Sequence, residues 1–268
     1  MHQQSILITG VYGLVGSCIY KHLSAKPDLY DVYGLDRNHE RSSRLHPDEL
    51  TEVPDDHFIL SDLSNACELK DVFKGIDTIV HMAADPDDQA PWESTLKNNM
   101  EATQHLFEAA KASDVKRVIY ASSIQVSFGY FRTVEPYKSI YEMNYQNVPE
   151  TFDRISVAAP TWPVNLYGSS KVFGEALARM YSSTTALSCI CIRMGGVHSM
   201  DQVPQAVLPN ASTKNDMVRL VECCVRAPNS VQFEIVYGLS NSDYRWVDLD
   251  HSAKAVGYLP EDSIHLAP

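Results

Sequence analysis

The sequence predicts an α/β fold built on a doubly wound parallel sheet, and three observations carry that prediction. Short β-rich runs alternate with helical patterns through the first half of the chain. These runs are near-continuously apolar, as expected of strands covered by helices on both faces. A glycine-rich turn, Gly10-Val11-Tyr12-Gly13-Leu14-Val15-Gly16, closes the first run and opens a helix.

The elements follow in order. Residues 5–9 read as a strand, 14–24 as a helix and 31–36 as a second strand. A third short strand is expected over 57–60, a helix over 65–74 and a fourth strand over 77–81. A long helix spans about 92–111, with Pro91 suited to its first turn because a missing N–H costs nothing there. Residues 116–121 form a fifth strand. Right-handed crossovers between such strands give the doubly wound topology.

The rhythm breaks over 128–163, a loop rich in Tyr, Pro and Asn that carries Arg132, Lys138 and Arg154. Loops of that length in a compact domain usually serve function. Residues 166–182 then read as a strong helix, 187–193 as a sixth strand and 195–209 as a loop. A helix over 215–226, a seventh strand over 232–237 and a terminal helical turn over 250–256 complete the chain. Residues 1–268 are expected to form one domain. About 128–163, 195–215 and 238–268 would supply a small C-terminal substrate lobe.

A chain of 268 residues can bury a full core, and 44% hydrophobic with 21% charged residues is globular composition. The net charge of −12 repels phosphate backbones and anionic membranes, so neither nucleic acid nor membrane is an expected partner. A small anion could still bind in a local pocket. No secretory signal pattern and no membrane-length apolar run occurs. The six cysteines form no CxxC pair and read as buried free thiols of a reducing compartment, hence a cytoplasmic protein. The ten histidines show no paired ligand spacing, so no metal is expected.

The glycine-rich turn suits a dinucleotide. Gly10, Gly13 and Gly16 permit a tight turn, close backbone approach to a pyrophosphate and close helix–strand packing. The backbone around Tyr12, Leu14 and Val15 offers N–H groups at a helix N-terminus. Asp36, at the end of the second strand, can accept hydrogen bonds from the adenosine ribose and repel a 2′-phosphate, favouring NAD over NADP. Arg37 could instead bind that phosphate. Asp62 and Leu63 sit where an adenine ring would lie, although Asp62 could equally belong to the N-cap of a helix starting at Ser64 or Asn65. Met82, Ala83 and Ala84 after the fourth strand suit close contact with a cofactor, and His81 beside them reads as structural. Asn99 could hold the cofactor edge or a proton-carrying water, or simply pack its helix. Asp85, Asp87 and Asp88 read as a solvated acidic loop.

Tyr167 and Lys171 place a phenol and an ammonium four residues apart on one helix face. A free phenol has a pKa of about 10, too high for a base at neutral pH. A nearby ammonium and a nicotinamide cation would favour the phenolate. Tyr167 could then take a hydroxyl proton while the substrate carbon gives a hydride to NAD, with Lys171 also holding the ribose. Ser122 and Ser123 follow the fifth strand at its carboxyl end, where open α/β sheets put ligands, although two serines there could also be simple turn residues. A hydroxyl there can orient the substrate oxygen.

Together these motifs resemble the extended short-chain dehydrogenase/reductase superfamily over nearly the whole chain, and the resemblance implies a Rossmann fold. Asp36, Asp62, Ala83-Ala84, Asn99, Ser123, Tyr167, Lys171 and the ending KAVGYLP (254–260) all match its pattern. Within it, LYGSSKVFGEALARMY (166–181), Ala121-Ser122-Ser123 with Gly129-Tyr130, VRAP (225–228) and VYGLS (236–240) look most like the uronate dehydrogenase branch, which includes archaeal sugar-phosphate dehydrogenases. That implies oxidation of a cyclic sugar at its anomeric carbon to a lactone, a homodimer through the two long helices, and substrate contacts from Ser123, Ile124, Gln125, Gly195 and Gly196. Two positions depart from the branch. Ile124-Gln125 stand where uronate dehydrogenases have Asn-His, and 195–209 holds no Arg or Lys where they carry a carboxylate-binding Arg. The alternatives are a nucleotide-sugar epimerase or dehydratase, which usually needs a larger C-terminal lobe, and a non-catalytic NAD-binding regulator.

Overall fold

The computed structural model describes residues 3–199 and 202–265. Seven strands form one parallel sheet: β1 (Gln4–Thr9), β2 (Tyr30–Asp36), β3 (Phe58–Leu60), β4 (Thr78–His81), β5 (Arg117–Ser123), β6 (Ser188–Met194) and β7 (Phe233–Gly238). Their order is β3-β2-β1-β4-β5-β6-β7, so the winding reverses between β1 and β4. Ligands of open α/β sheets bind at the carboxyl edge of that reversal.

Burial on both faces explains why the strands read as continuous apolar runs. Successive strand side chains point to opposite faces. Ile6, Ile8, Val80, Ile119, Ile190 and Ile192 pack on one face with α1 (Leu14–Ser24) and α7 (Lys214–Arg226). Leu7, Ile79, Val118, Tyr120, Cys189 and Cys191 pack on the other, with α3 (Ala102–Ala112) and α6 (Leu166–Thr184). Cys189, Cys191 and Cys224 are buried free thiols, whereas Cys67 is exposed.

The predicted helix over 92–111 is one continuous rod with an irregular centre. α2 (Trp92–Thr95) runs through a π-helical turn, Leu96–Glu101, into α3. Pro91 is the N-cap residue rather than part of the first turn. Strand β5 extends past the expected end, and its pairing with β6 continues to Ser123↔Met194. Ser122 and Ser123 are therefore sheet residues, not turn residues.

Three expectations are corrected. Residues 65–74 hold only a 3-10 turn, Ala66–Leu69, capped by the Asn65 side chain, because Asp71 at φ 65° and Gly75 at φ 80° turn the chain back. The 128–163 stretch is not a plain loop. It contains α4 (Phe128–Thr133) and α5 (Tyr137–Tyr141), whose apolar faces meet a third core around Trp246. The Phe131 and Trp246 rings stack at 4.8 Å, Trp246 Nε1 donates to Asn210 Oδ1 at 2.6 Å, and Ile155 bridges Val247. The C-terminal region also holds more than a helical turn: α8 (Asp250–Val256) lies between β8 (Asn241–Ser242) and β9 (Ser263–Ile264), which pair in parallel. A small lobe thus covers the carboxyl ends of β5, β6 and β7. No helix among the described residues is long and apolar enough to cross a membrane.

Candidate active site

The carboxyl ends of neighbouring strands β2, β1, β4, β5 and β6 edge one crevice, and the segments that follow them carry most of the residues singled out in the sequence. At the turn after β1, Gly10 adopts φ 68° and packs on Met82 and Ala83: an added Cβ would sit 2.9 Å from Ala83 Cα. A Cβ on Gly16 would lie 2.1 Å from the Gly10 carbonyl oxygen. Only glycine fits both positions, and their bareness leaves a backbone-lined cradle. The first N–H groups of α1, those of Leu14, Val15 and Gly16, have no intrahelical carbonyl to reach. The helix has no side-chain cap and no acidic residue in its first turn. That donor set fits the pyrophosphate of a dinucleotide. The Tyr12 N–H is not part of it, since it donates to Asp36 Oδ2 at 3.0 Å.

Asp36 is half-buried. Burial raises its carboxyl above the ordinary value, while the N–H groups of Tyr12 and Arg37 and the charges of Arg37 and Arg41 draw it down. Each carboxylate oxygen accepts one backbone N–H, so lone pairs remain for ribose hydroxyls. Asp62 accepts from Ser64 N–H at 2.9 Å in an Asx turn, and Asn65 is the cap of the short turn that follows. Leu63 is buried in the core, and its carbonyl meets His105 Nδ1 at 3.1 Å. Ala84 stays half-exposed at the crevice rim.

His81 is structural. It is buried between Thr9 Oγ1 (2.8 Å) and Thr103 Oγ1 (3.1 Å). Thr103 gives its proton to the Asn99 carbonyl at 2.6 Å, so His81 Nε2 must donate and Nδ1 must accept from Thr9. Thr9 Oγ1 in turn accepts from Ala83 N–H at 3.3 Å. Burial, then the charge of Lys171, pulls the imidazole down to about 3, which keeps this chain of bonds neutral. Asn99 lies in the π-helical turn, where its Oδ1 accepts from Asp85 N–H at 2.7 Å and its Nδ2 donates to Ser170 Oγ at 3.2 Å. π-turns often mark functional positions. Here the turn brings one amide to both the Asp85 loop and the helix of Tyr167.

Tyr167, Lys171 and Ser123 meet where α6 crosses the end of β5. The Lys171 ammonium lies 5.5 Å from the Tyr167 ring centroid and 5.3 Å from that of Tyr120. It has no hydrogen-bond acceptor or carboxylate partner among the described residues. Burial pulls it from 10.5 down to about 8. Burial pushes the Tyr167 phenol up, and the Ser123 hydroxyl and the Arg44 guanidinium draw it back, while Asp85 and Asp88 raise it further. In the acidic loop Asp85 is held by Asn99 and Ser94, and Asp87 is exposed. Ser123 Oγ accepts from Gln125 N–H at 3.2 Å, which leaves its own proton free to donate. The arrangement can accept a proton at one oxygen while a second hydroxyl steadies the oxygen that loses it.

The positions after β5 and β6 are less simple. Ile124 is buried in the third core, so its side chain belongs to the lobe and not to the crevice. Gln125 Oε1 accepts from Asn165 Nδ2 at 2.6 Å. Gly195 and Gly196 use their N–H groups on the carbonyls of Gly238 and Asn210, both at 2.8 Å, and Gly196 is exposed.

Three features escaped sequence reasoning. Asn165 caps α6 through Gly168 N–H at 2.7 Å, and an Asn just before a helical pattern is a readable signal for that. Glu175 binds Arg193 through two 2.9 Å bonds and accepts from Ser122 at 2.6 Å, forming a buried pair directly behind Ser123. Its one signal was Glu175 lying a turn beyond Lys171. Finally, the connection between β2 and β3 is fastened to Tyr12 after β1 and to Ser199 after β6. The unusual length of that connection was visible.

The comparisons agree with this geometry. A family described as the NAD dependent epimerase/dehydratase family matches residues 6–222. The chain is 30% identical over 264 residues to the NAD-dependent glucose-6-phosphate dehydrogenase of Haloferax volcanii, covering 97% of this chain and 94% of that one. It is 28% identical over 258 residues to the uronate dehydrogenase of Pseudomonas putida, covering 96% and 84%. Among solved structures, the glucuronic acid dehydrogenase of Chromohalobacter salexigens superposes with a TM-score of 0.77 at 28% identity, covering 98% of this chain and 86% of the other.

Proposed function

This chain belongs to the NAD dependent epimerase/dehydratase family, and from that premise we propose that it oxidises a cyclic sugar, sugar acid or sugar phosphate at C1 to a lactone. The observation that carries the reading is the meeting of Tyr167, Lys171 and Ser123 at the end of β5, beside the glycine cradle. Relatives named for glucose 6-phosphate and uronate support the substrate class. The Leu14–Gly16 N–H groups, Asp36 and Lys171 would hold NAD, which supplies the two-electron acceptor when bound.

The protein's own part is proton management and orientation. Tyr167 receives the C1 hydroxyl proton as the carbon–oxygen double bond forms. Ser123 donates to the same oxygen and fixes its direction. The Lys171 ammonium, buried with no hydrogen-bond acceptor among the described residues, would favour the phenolate and bind ribose hydroxyls. The lobe around Trp246 is the substrate cover in this reading. Exposed Trp92, Leu166 and Met180 on the two long helices suit the expected pairing with a second copy, which light scattering would report.

The test is NADH formation from NAD⁺ across aldoses, uronates and sugar phosphates. Activity on at least one substrate should fall about 10²- to 10⁴-fold in Tyr167→Phe with NAD⁺ binding retained. Turnover of none of them, or full activity in the variant, overturns the proposal.

A further inference from the structure

The 37–57 connection carries three arginines, Arg37, Arg41 and Arg44, and the structure engages them unequally. Ser42 N–H donates to the Tyr12 carbonyl at 3.0 Å, which anchors the connection on the cradle. Leu45 is buried in the core beside it. His46 N–H donates to Ser199 Oγ at 3.0 Å, and Glu49 binds both Ser199 and Lys214. The segment is thus a strap fastened at one end to the dinucleotide turn and at the other to the loop after β6. Arg44 lies between the two fastenings.

Arg41 is already engaged: its guanidinium covers the Tyr12 ring at 3.7 Å and pairs with Glu52 at 3.2 Å. Arg37 reaches Asn98 at 3.5 Å. Both act on Asp36, at the adenosine end. Arg44 is exposed, and its side chain has no ion-pair or hydrogen-bond partner among the described residues. Its charge draws the Tyr167 phenol down. The loop 195–209, to which the strap is fastened at Ser199, has no Arg or Lys of its own.

We propose that Arg44 forms the anion subsite for substrate, its guanidinium taking the carboxylate or phosphate of a sugar acid or sugar phosphate. This rests on the dehydrogenase reading above. A planar fork of N–H donors matches either anion bidentately, and the cation comes from the strap where the loop after β6 lacks one.

The test compares wild type, Arg44→Ala and Arg44→Lys at saturating NAD⁺ on glucose, glucuronate and glucose 6-phosphate. The readout is kcat/KM for each anionic sugar divided by that for glucose. We expect this ratio to fall about 10- to 100-fold in Arg44→Ala, with partial recovery in Arg44→Lys. A fall confined to glucuronate or to glucose 6-phosphate identifies the anion. A ratio constant within about twofold overturns the proposal. So does a loss explained by a higher KM for NAD⁺, which would assign Arg44 to the cofactor pyrophosphate. Should wild type oxidise none of these three sugars, the wider panel decides the dehydrogenase reading, and calorimetric titration of glucuronate and inorganic phosphate into NAD⁺-loaded protein decides the subsite. Binding to wild type that weakens in Arg44→Ala supports it. Equal binding to both, or none to wild type, overturns it.

Discussion

Replacing Arg193 with methionine removes the cation from an ion pair whose side chains are only 3% and 6% exposed. The Glu175 carboxylate would lose both 2.9 Å guanidinium bonds and keep the Ser122 hydroxyl as its remaining donor among the described residues. The Tyr237 hydroxyl, 3.3 Å from the guanidinium, would retain its bond to Ser127. Breaking a buried pair by removing one partner costs about 3–5 kcal/mol, because a desolvated charge is left behind. An unfolding entropy of about 2.1 cal/mol/K per residue over 268 residues then gives a Tm lower by about 5–9 °C. Replacing both partners, Glu175→Met with Arg193→Met, removes the stranded charge and should recover most of that loss. Calorimetric melting of the two single variants, the double variant and wild type measures the coupling. The reasoning is refuted if Arg193→Met melts within about 2 °C of wild type, or if the double variant loses the sum of the singles.

Three further outcomes follow from the same site. His81 resists protonation down to about 3, while its unfolded value is near 6.5. Between those limits the unfolded chain holds one more proton, so stability falls as pH falls, by about 1.4 kcal/mol per pH unit. Urea unfolding from pH 6 to pH 4 should show that slope reduced by about one proton in His81→Gln, and an unaltered slope would count against it. Lys171 should titrate near 8 in the NAD-free protein, visible by NMR of ¹³Cε-labelled lysine, whereas a midpoint above 10 for this residue contradicts its burial. Asp36→Ser should lower the ratio of kcat/KM with NAD⁺ to that with NADP⁺ by about 10- to 100-fold. It removes the ribose acceptor and the charge that repels a 2′-phosphate while leaving Arg37 and Arg41 in place. An unchanged ratio would remove Asp36 from cofactor selection.

What the sequence determined by itself is whatever rests on near neighbours along the chain. Ile6, Leu7 and Ile8 announce a strand buried on both sides because a strand turns successive side chains to opposite faces. Gly13 and Gly16 announce a cradle because a Cβ at either would crowd the Gly10 carbonyl within one turn, whereas the clash at Gly10 is with remote Ala83. Tyr167 and Lys171 share a helix face through backbone periodicity alone. Tertiary structure decided the rest. Phe131 finds Trp246, Glu175 finds Arg193, and the Arg44 strap reaches Ser199 only after remote segments close on one another. The helices α4 and α5 are too short to hold without that core, and Asp71 at a positive φ ended a helix that periodicity had extended. Burial and charge pairing depend on which distant segments exclude water together. No local pattern encodes that choice.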